Sequence, residues 1–150
     1  HENDPTNDEL TKLYCRSAMP GVWGISEDLS KVDARQLATI RQEVKHYRKI
    51  NQLKVSGVWD IHYPQGHSDI AVITFYDESG TRAAVLVFRW NATGAIEKTI
   101  PLGGLKSERN YQVQNVDSAF PVKINKQDMV HTGLEVRLNE SQLSALYFID

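Results

Sequence analysis

The sequence predicts a mainly β chain: an antiparallel β-sandwich of Greek-key type, preceded by a helix–strand–helix unit. Three observations carry that expectation. Apolar residues recur at steps of three and four in the first third of the chain, and alternate or run without interruption afterwards. Seven or eight short strands then follow at a spacing of roughly 10–15 residues, with turn residues between them. A length of 150 residues and an apolar content of 41% suffice for a buried core, in one domain or one domain plus a piece of another.

The chain is organised around Val32 to Asn51. Leu37, Ile40, Val44 and Tyr47 define one helical face. Asp33 is placed to cap the helix, with Gln36 three residues on as in a capping box, and Val32 and Leu37 hold the positions of a hydrophobic staple. Arg41, Lys45, Arg48 and Lys49 suit the negative end of the helix dipole.

Before it, Leu10, Leu13, Tyr14 and Ser17 predict a short helix over Asn7–Ser17, capped by Asn7 or Thr6 and broken at Met19-Pro20-Gly21. Val22 to Ser26 reads as a strand buried on both faces, and Glu27 to Ser30 as a loop. One such strand cannot make an α/β layer, so whatever Val22, Trp23 and Ile25 pack against is expected outside this chain.

After Asn51 the period changes. Trp59, Ile61 and Tyr63 alternate with Val58, Asp60 and His62, and Pro64-Gln65-Gly66 turns. Ile70–Tyr76 and Arg82–Trp90 are apolar on both faces, hence central strands, and Asp77–Gly80 joins them as a hairpin. Asn91–Gly94 turns into Ile96–Ile100, and Pro101–Leu105 is a loop. Tyr111 and Val113 mark the next strand; Phe120-Pro121-Val122 reads as an edge, because proline removes a ladder donor. Leu134, Val136 and Leu138 alternate strictly with Glu135 and Arg137, and Ser144–Ile149 closes the chain. The natural cut falls near Leu53–Gly57, giving residues 1–52 and 53–150.

Composition narrows the function. A formal charge of -2, with acids and bases interspersed, predicts no nucleic-acid and no membrane partner. No apolar run approaches the roughly 18 residues of a membrane helix, and no signal-peptide pattern is visible in the polar stretch HENDPTNDEL. A start at His1 leads us to expect a fragment of something longer. The lone Cys15 forbids an internal disulfide and leaves the compartment open. Asn91-Ala92-Thr93 matches a glycosylation sequon, but reads more simply as a polar hairpin turn.

Chemistry is sparse. His62 and His67 stand five apart, His46 and His131 alone, and no spacing matches a zinc site, so no metal is expected. Gly21-Val22-Trp23-Gly24 and Gly103-Gly104 fit neither a P-loop nor a dinucleotide fingerprint, and no cofactor follows. There is no nucleophile elbow, and Cys15 lies in a helix without a nearby histidine. Glu27 and Asp28 are adjacent carboxylates just past the buried strand. Neighbours on one loop diverge, though, and Asp28 is more simply a backbone-bonding group at a helix entry. Trp59, Tyr63, Tyr76, Phe88 and Trp90 could stack on sugar, but read better as strand packing.

The stretch Ser17-Ala-Met-Pro-Gly-Val-Trp-Gly-Ile-Ser-Glu-Asp-Leu29 resembles the segment around the eighth barrel strand of family-36 glycoside hydrolases, the α-galactosidases or melibiases. There a run S-A-M-x-G-x-x-G-I-S-x-D-L precedes a long helix with a basic, Tyr-containing end, matched here by His46-Tyr47-Arg48-Lys49. A C-terminal antiparallel sandwich follows in that family, with a hairpin like Ile70–Trp90 and an ending like Gly133–Val136 and Ala145–Phe148.

The resemblance implies that residues 1–52 end a (β/α)8 barrel and that 53–150 form the C-terminal sandwich. The parent enzyme would cleave terminal α-galactosides with retention, using two aspartates on earlier strands that this chain lacks. Lys31-Val32-Asp33 has the outline of the nucleophile motif but caps a helix, and Trp59-Asp60 lies in the sandwich, so no catalytic residue carries over. Trp23 and Asp28, near the barrel mouth, are the substrate-binding candidates. The expected partners are an upstream barrel of the same polypeptide and the parent's α-galactoside, with a homo-oligomer left open. The alternatives are a free-standing carbohydrate-binding sandwich and a parent with α-glucosidase or N-acetylgalactosaminidase specificity.

Overall fold

The computed structural model describes residues 5–26, 28–62, 69–90, 92–106, 109–118, 122–124, 129 and 132–150, with 5, 6, 56, 59, 62 and 122–124 described by backbone alone. Glu27, Tyr63, the Pro64–Gly66 turn, His67, Asn91, Phe120, Pro121 and His131 lie outside the described residues. Helix α1 spans Pro5–Ala18 and helix α2 Ala34–Ser56, with a 3-10 turn at Leu29–Lys31 between them. The strands are β1 (Val58–His62), β2 (Ile70–Tyr76), β3 (Ala83–Arg89), β4 (Ile96–Ile100), β5 (Tyr111–Asn115), β6 (Val122–Ile124), β7 (Leu134–Leu138) and β8 (Ser144–Ile149). Among the described residues no helix is long and apolar enough to cross a membrane.

Six strands form an antiparallel sheet in the order β1-β2-β3-β8-β5-β6, and β4 pairs with β7 in a second sheet. The central positions of β2, β3 and β8 explain their two-sided apolar sequences. On one face Val72, Val85, Val87, Ala145 and Tyr147 pack against Ile96, Ile100, Leu134, Val136 and Leu138 of the second sheet. On the other face Phe75, Ala84, Leu86, Leu146 and Phe148 pack against Met19, Ile50 and Leu53. The strict alternation of β7 puts Leu134, Val136 and Leu138 inside and leaves Glu135 and Arg137 exposed. The short β6 lies at the edge of the six-stranded sheet. The result is a sandwich with a helical layer on its outer face.

Local signals set the connections. The Asp33 carboxylate accepts the Gln36 backbone N–H at 2.8 Å and starts α2 as the sequence leads one to expect. The β2–β3 hairpin turns on Asp77, whose carboxylate accepts the N–H groups of Thr81 (2.7 Å) and Arg82 (2.9 Å) and the Ser79 hydroxyl (2.7 Å). Burial opposes that charge, but these donors outweigh it and hold the Asp77 carboxyl well below the usual carboxylate range. Gly80 completes the turn at φ +67°, a region open to glycine at little cost. Gly57, at the end of α2, is needed for a different reason: a Cβ there would sit 1.7 Å from the Tyr76 carbonyl oxygen.

Two expectations are corrected. Val22–Ser26 forms no strand; it is an unpaired run in which Val22 is 98% exposed and Ile25 is 42% exposed. A lone strand has no ladder to join, so its sequence preference goes unused within this chain. The α2 face Leu37-Ile40-Val44-Tyr47 is also not the helix's fully buried one: its members are half-buried, and of them Tyr47 packs against the sheet-side core. The buried positions are Glu43, Ile50 and Leu53, with Thr39 and His46 between and beside them at the same steps of three and four. The helix therefore has two inward-type faces, and only one is fully covered.

Candidate functional site

The Met19-Pro20-Gly21 break ends α1, and Lys54 of α2 holds that end by donating to the carbonyls of Met19 (3.0 Å) and Gly21 (2.6 Å). The chain then passes over Tyr47. The Trp23 N–H donates to the Tyr47 hydroxyl at 3.4 Å, and the two rings meet edge to face at 5.5 Å. Beyond Trp23 no backbone hydrogen bond ties down Gly24, Ile25 or Ser26 among the described residues.

This run borders a groove of about 410 Å³ between α1 and the first half of α2. Leu10, Tyr14, Trp23, Ile25, Val32 and Ile40 supply its apolar surface, and Asn7, Thr11, Ser26 and Gln36 line it with polar groups, so the groove is of mixed character. Tyr14 is 70% exposed, and Val22, next to Trp23 in the chain, is 98% exposed. Cys15 also lines the groove, but burial, and then the Glu43 charge, push its thiol up to about 11. It is a protonated packing group at neutral pH, not a nucleophile.

Trp23 is thus half-buried at the groove. Asp28 is exposed and committed locally: it accepts the Ser30 N–H (3.0 Å) and hydroxyl (2.7 Å), which lower its pKa, and lies 3.9 Å from the Lys31 ammonium. It does not line the groove that Trp23 lines. Its neighbour Glu27 is outside the described residues, so the adjacent carboxylates cannot be placed as a pair.

The remaining candidates disperse. His46 lies against the Phe148 ring, and among the described residues no three His, Cys, Asp or Glu side chains gather as a metal site. Tyr76 points between the two sheets while Phe88 points to the helical side, so they share no stacking surface. Trp90 is 65% exposed and borders a second, apolar groove of about 310 Å³ with Ile61, Ile73 and Phe88. Asp33 caps α2 and Asp60 lies in β1, as their sequence contexts require.

The sequence reading missed a buried ion-pair cluster. Arg16 of α1 is fully buried and grips two carboxylates, Glu43 of α2 (2.9 and 3.2 Å) and Asp117 in the turn after β5 (2.8 and 2.9 Å). Lys12 approaches Asp117 at 3.4 Å. A signal existed: Glu43 sits three and seven residues from His46 and Ile50, the spacing of a buried stripe, where an acid needs a partner. Burial disfavours both carboxylates, yet Arg16, with Lys12 on Asp117 and His46 beside Glu43, holds both below the usual range. His46 Nδ1 stands 3.5 Å from Glu43, too far for a strong bond, so Arg16 is the partner that counts.

A pH dependence follows. Asp77, Glu43 and Asp117 hold protons less tightly when folded, so their stabilisation is complete above the unfolded carboxylate range, about pH 4, and is lost as pH falls through and below it. The urea midpoint should fall steadily between about pH 4.5 and pH 3; a midpoint that rises on acidification over that range would contradict these assignments.

No family profile matches the sequence, and no curated protein matches it. Solved structures do. A variant of the GH36 α-galactosidase AgaA from Geobacillus stearothermophilus, in complex with stachyose, matches with a TM-score of 0.75 and 19% identity, over 93% of this chain and 19% of that one. The α-galactosidase from Lactobacillus brevis matches with a TM-score of 0.74 and 16% identity, over 92% and 19%. The GH36 α-galactosidase AgaB from Geobacillus stearothermophilus matches at 0.71 and 18%, over 91% and 18%. Helical layer, six-stranded sheet and second sheet together give this chain the fold of a segment of GH36 α-galactosidases, and it spans about a fifth of their length.

Proposed function

We propose that this chain is the C-terminal, non-catalytic portion of a retaining α-galactosidase-like glycoside hydrolase. Residues 1–52 would end its (β/α)8 barrel, and residues 53–150 would be a sandwich that braces the barrel. The carrying observation is the run Val22–Ser26: it joins no strand and, apart from half-buried Trp23, is exposed, beside a groove that Leu10 and Tyr14 of α1 and Ile40 of α2 also line. Isolated apolar side chains at a surface need no explanation, but a contiguous set on two helices and their connection fits a missing layer. A parallel strand flanked by its own helices gains both ladder bonds and two-sided burial when sister strands are present.

In this reading the chain supplies no acid, base or nucleophile. The parent's two carboxylates would stand on earlier strands, close together as retention requires. Trp23 and Asp28 would border the barrel mouth as substrate-side groups. The partners are the upstream barrel and, through it, a terminal α-galactoside; a homo-oligomer is compatible, and the net charge of -2 offers no attraction to nucleic acid or an anionic membrane.

The test uses the chain alone and joined to its upstream barrel. Alone, it should hydrolyse no aryl α-galactoside, and the Val22, Gly24 and Ile25 amides should exchange within the dead time of a deuterium-labelling experiment. Joined, the protein should be active and those amides protected by orders of magnitude. Fast exchange at all three in the active full-length enzyme would refute the reading of residues 1–52 as the end of the barrel. The alternative, a free-standing carbohydrate-binding sandwich, draws on exposed Trp90; galactoside-dependent quenching of the isolated chain, lost in Trp90→Ala, would favour it.

A further inference from the structure

We propose that Arg16 is a latch that fixes the helix pair to the six-stranded sheet in one register, so that the open face of the helices is presented by a rigid body. Apolar packing of Met19, Ile50 and Leu53 on Phe75 and Leu86 holds the layers together, but such contacts are non-directional and tolerate sliding. The guanidinium does not. Its Nε donates to Glu43 (3.2 Å), Nη2 to Glu43 (2.9 Å) and Asp117 (2.9 Å), and Nη1 to Asp117 (2.8 Å) and the Ser144 hydroxyl (3.3 Å). All the donors of the planar fork are thereby used, on groups from α2, from the turn after β5 and from the start of β8.

The side chain is 0% exposed, so water cannot replace a lost partner. A slip of one helical residue, about 1.5 Å along the axis, breaks the fork and strands a buried charge. The surroundings leave no substitute. Lys12, the other cation at the cluster, is shared among Asp117, Asp8 and Glu9. His46 is the nearest further group to Glu43, and its Nδ1 is buried without a hydrogen-bond partner. Arg16 is thus the cation that both Glu43 and Asp117 share, at 2.9 and 2.8 Å. The benefit to a covering layer rests on the function proposed above; the latch itself is a property of this chain.

The test is segment-resolved hydrogen exchange on the isolated chain in low denaturant, for the native sequence, Arg16→Met and the milder Glu43→Gln. In the native sequence α1, α2, β3 and β8 should lose protection together. In Arg16→Met protection of α1 and α2 should fall roughly 100-fold or more while β3 and β8 fall less than tenfold; Glu43→Gln should do the same to about a tenfold extent. A second readout is the sign of the pH response. With Arg16 gone, buried Glu43 is better tolerated protonated, so from pH 7 to pH 5 the helical layer of Arg16→Met should gain more protection than that of the native sequence, in which His46 stands beside the same carboxylate. Equal losses in helices and sheet would overturn the latch, as would an unchanged pH response. If Arg16→Met does not fold, Glu43→Gln decides by the same comparison. These outcomes are independent of the Val22–Ile25 exchange in the full-length protein, so the two proposals fail separately.

Discussion

Val22→Asp is expected to leave the unfolding midpoint of this chain unchanged and to cripple the protein in which the chain is joined to an upstream barrel. Here the side chain is 98% exposed, and substitutions at such positions usually fall within about 0.5 kcal/mol. As a strand between helices and sister strands the same position would be desolvated. An unpaired carboxylate there would cost about 3–5 kcal/mol, by analogy with breaking a buried ion pair. That is a large part of the roughly 5–15 kcal/mol that a domain has in total. Thermal unfolding of the chain and the soluble, active yield of the longer protein are the two measurements. Equal tolerance in both would mean that the Val22–Ser26 run stays exposed and that nothing packs over it. A midpoint that drops in the chain alone would mean that the run is buried here.

Phe75→Ala should destabilise the chain itself by about 3–5 kcal/mol. Phe75 is fully buried in β2, in the layer where Met19, Ile50 and Leu53 meet the sheet. Truncation removes its apolar burial and leaves a cavity between a helix and a sheet that cannot easily close, because the Arg16 cluster and the Gly57 approach hold their spacing. At about 2–4 °C per kcal/mol for a chain of this size, the melting temperature should fall by roughly 6–20 °C. A fall of only a degree or two would show that the helices are loosely docked and that the sandwich carries stability without them. Exchange measurements on α2 in the same variant separate a local loss from a global one.

Local signals made much of this molecule readable in advance. Alternation in Leu134–Leu138 pointed to one buried and one wet face, and uninterrupted apolar runs in Ile70–Tyr76 and Arg82–Trp90 marked strands covered on both sides, while the two-sided burial of Ser144–Ile149 emerged only with its central place in the sheet. The reason is geometric: a strand's period of two ties each side chain to one face, so composition and burial map directly onto each other. The Asp33 cap and the Asp77 hairpin were legible because side chain and backbone partner lie within five residues of each other. The stretch Ser17–Leu29 also carried the resemblance that the structural likeness to GH36 α-galactosidases supports at the level of fold.

What the sequence by itself determined, then, was governed by neighbours along the chain: the strand positions after Asn51, the turn chemistry and the start of α2, whereas α1 starts at Pro5, before the Thr6 or Asn7 cap expected for it. Tertiary structure alone decided which of α2's two apolar-type faces meets the sheet. It chose the one carrying Glu43, because Arg16 on α1 and Asp117, 101 residues further on, converge there and turn a buried acid from a penalty into a contact. It also decided that Val22–Ser26 stays unpaired, since a strand is made by its partners' backbone and not by its own side chains.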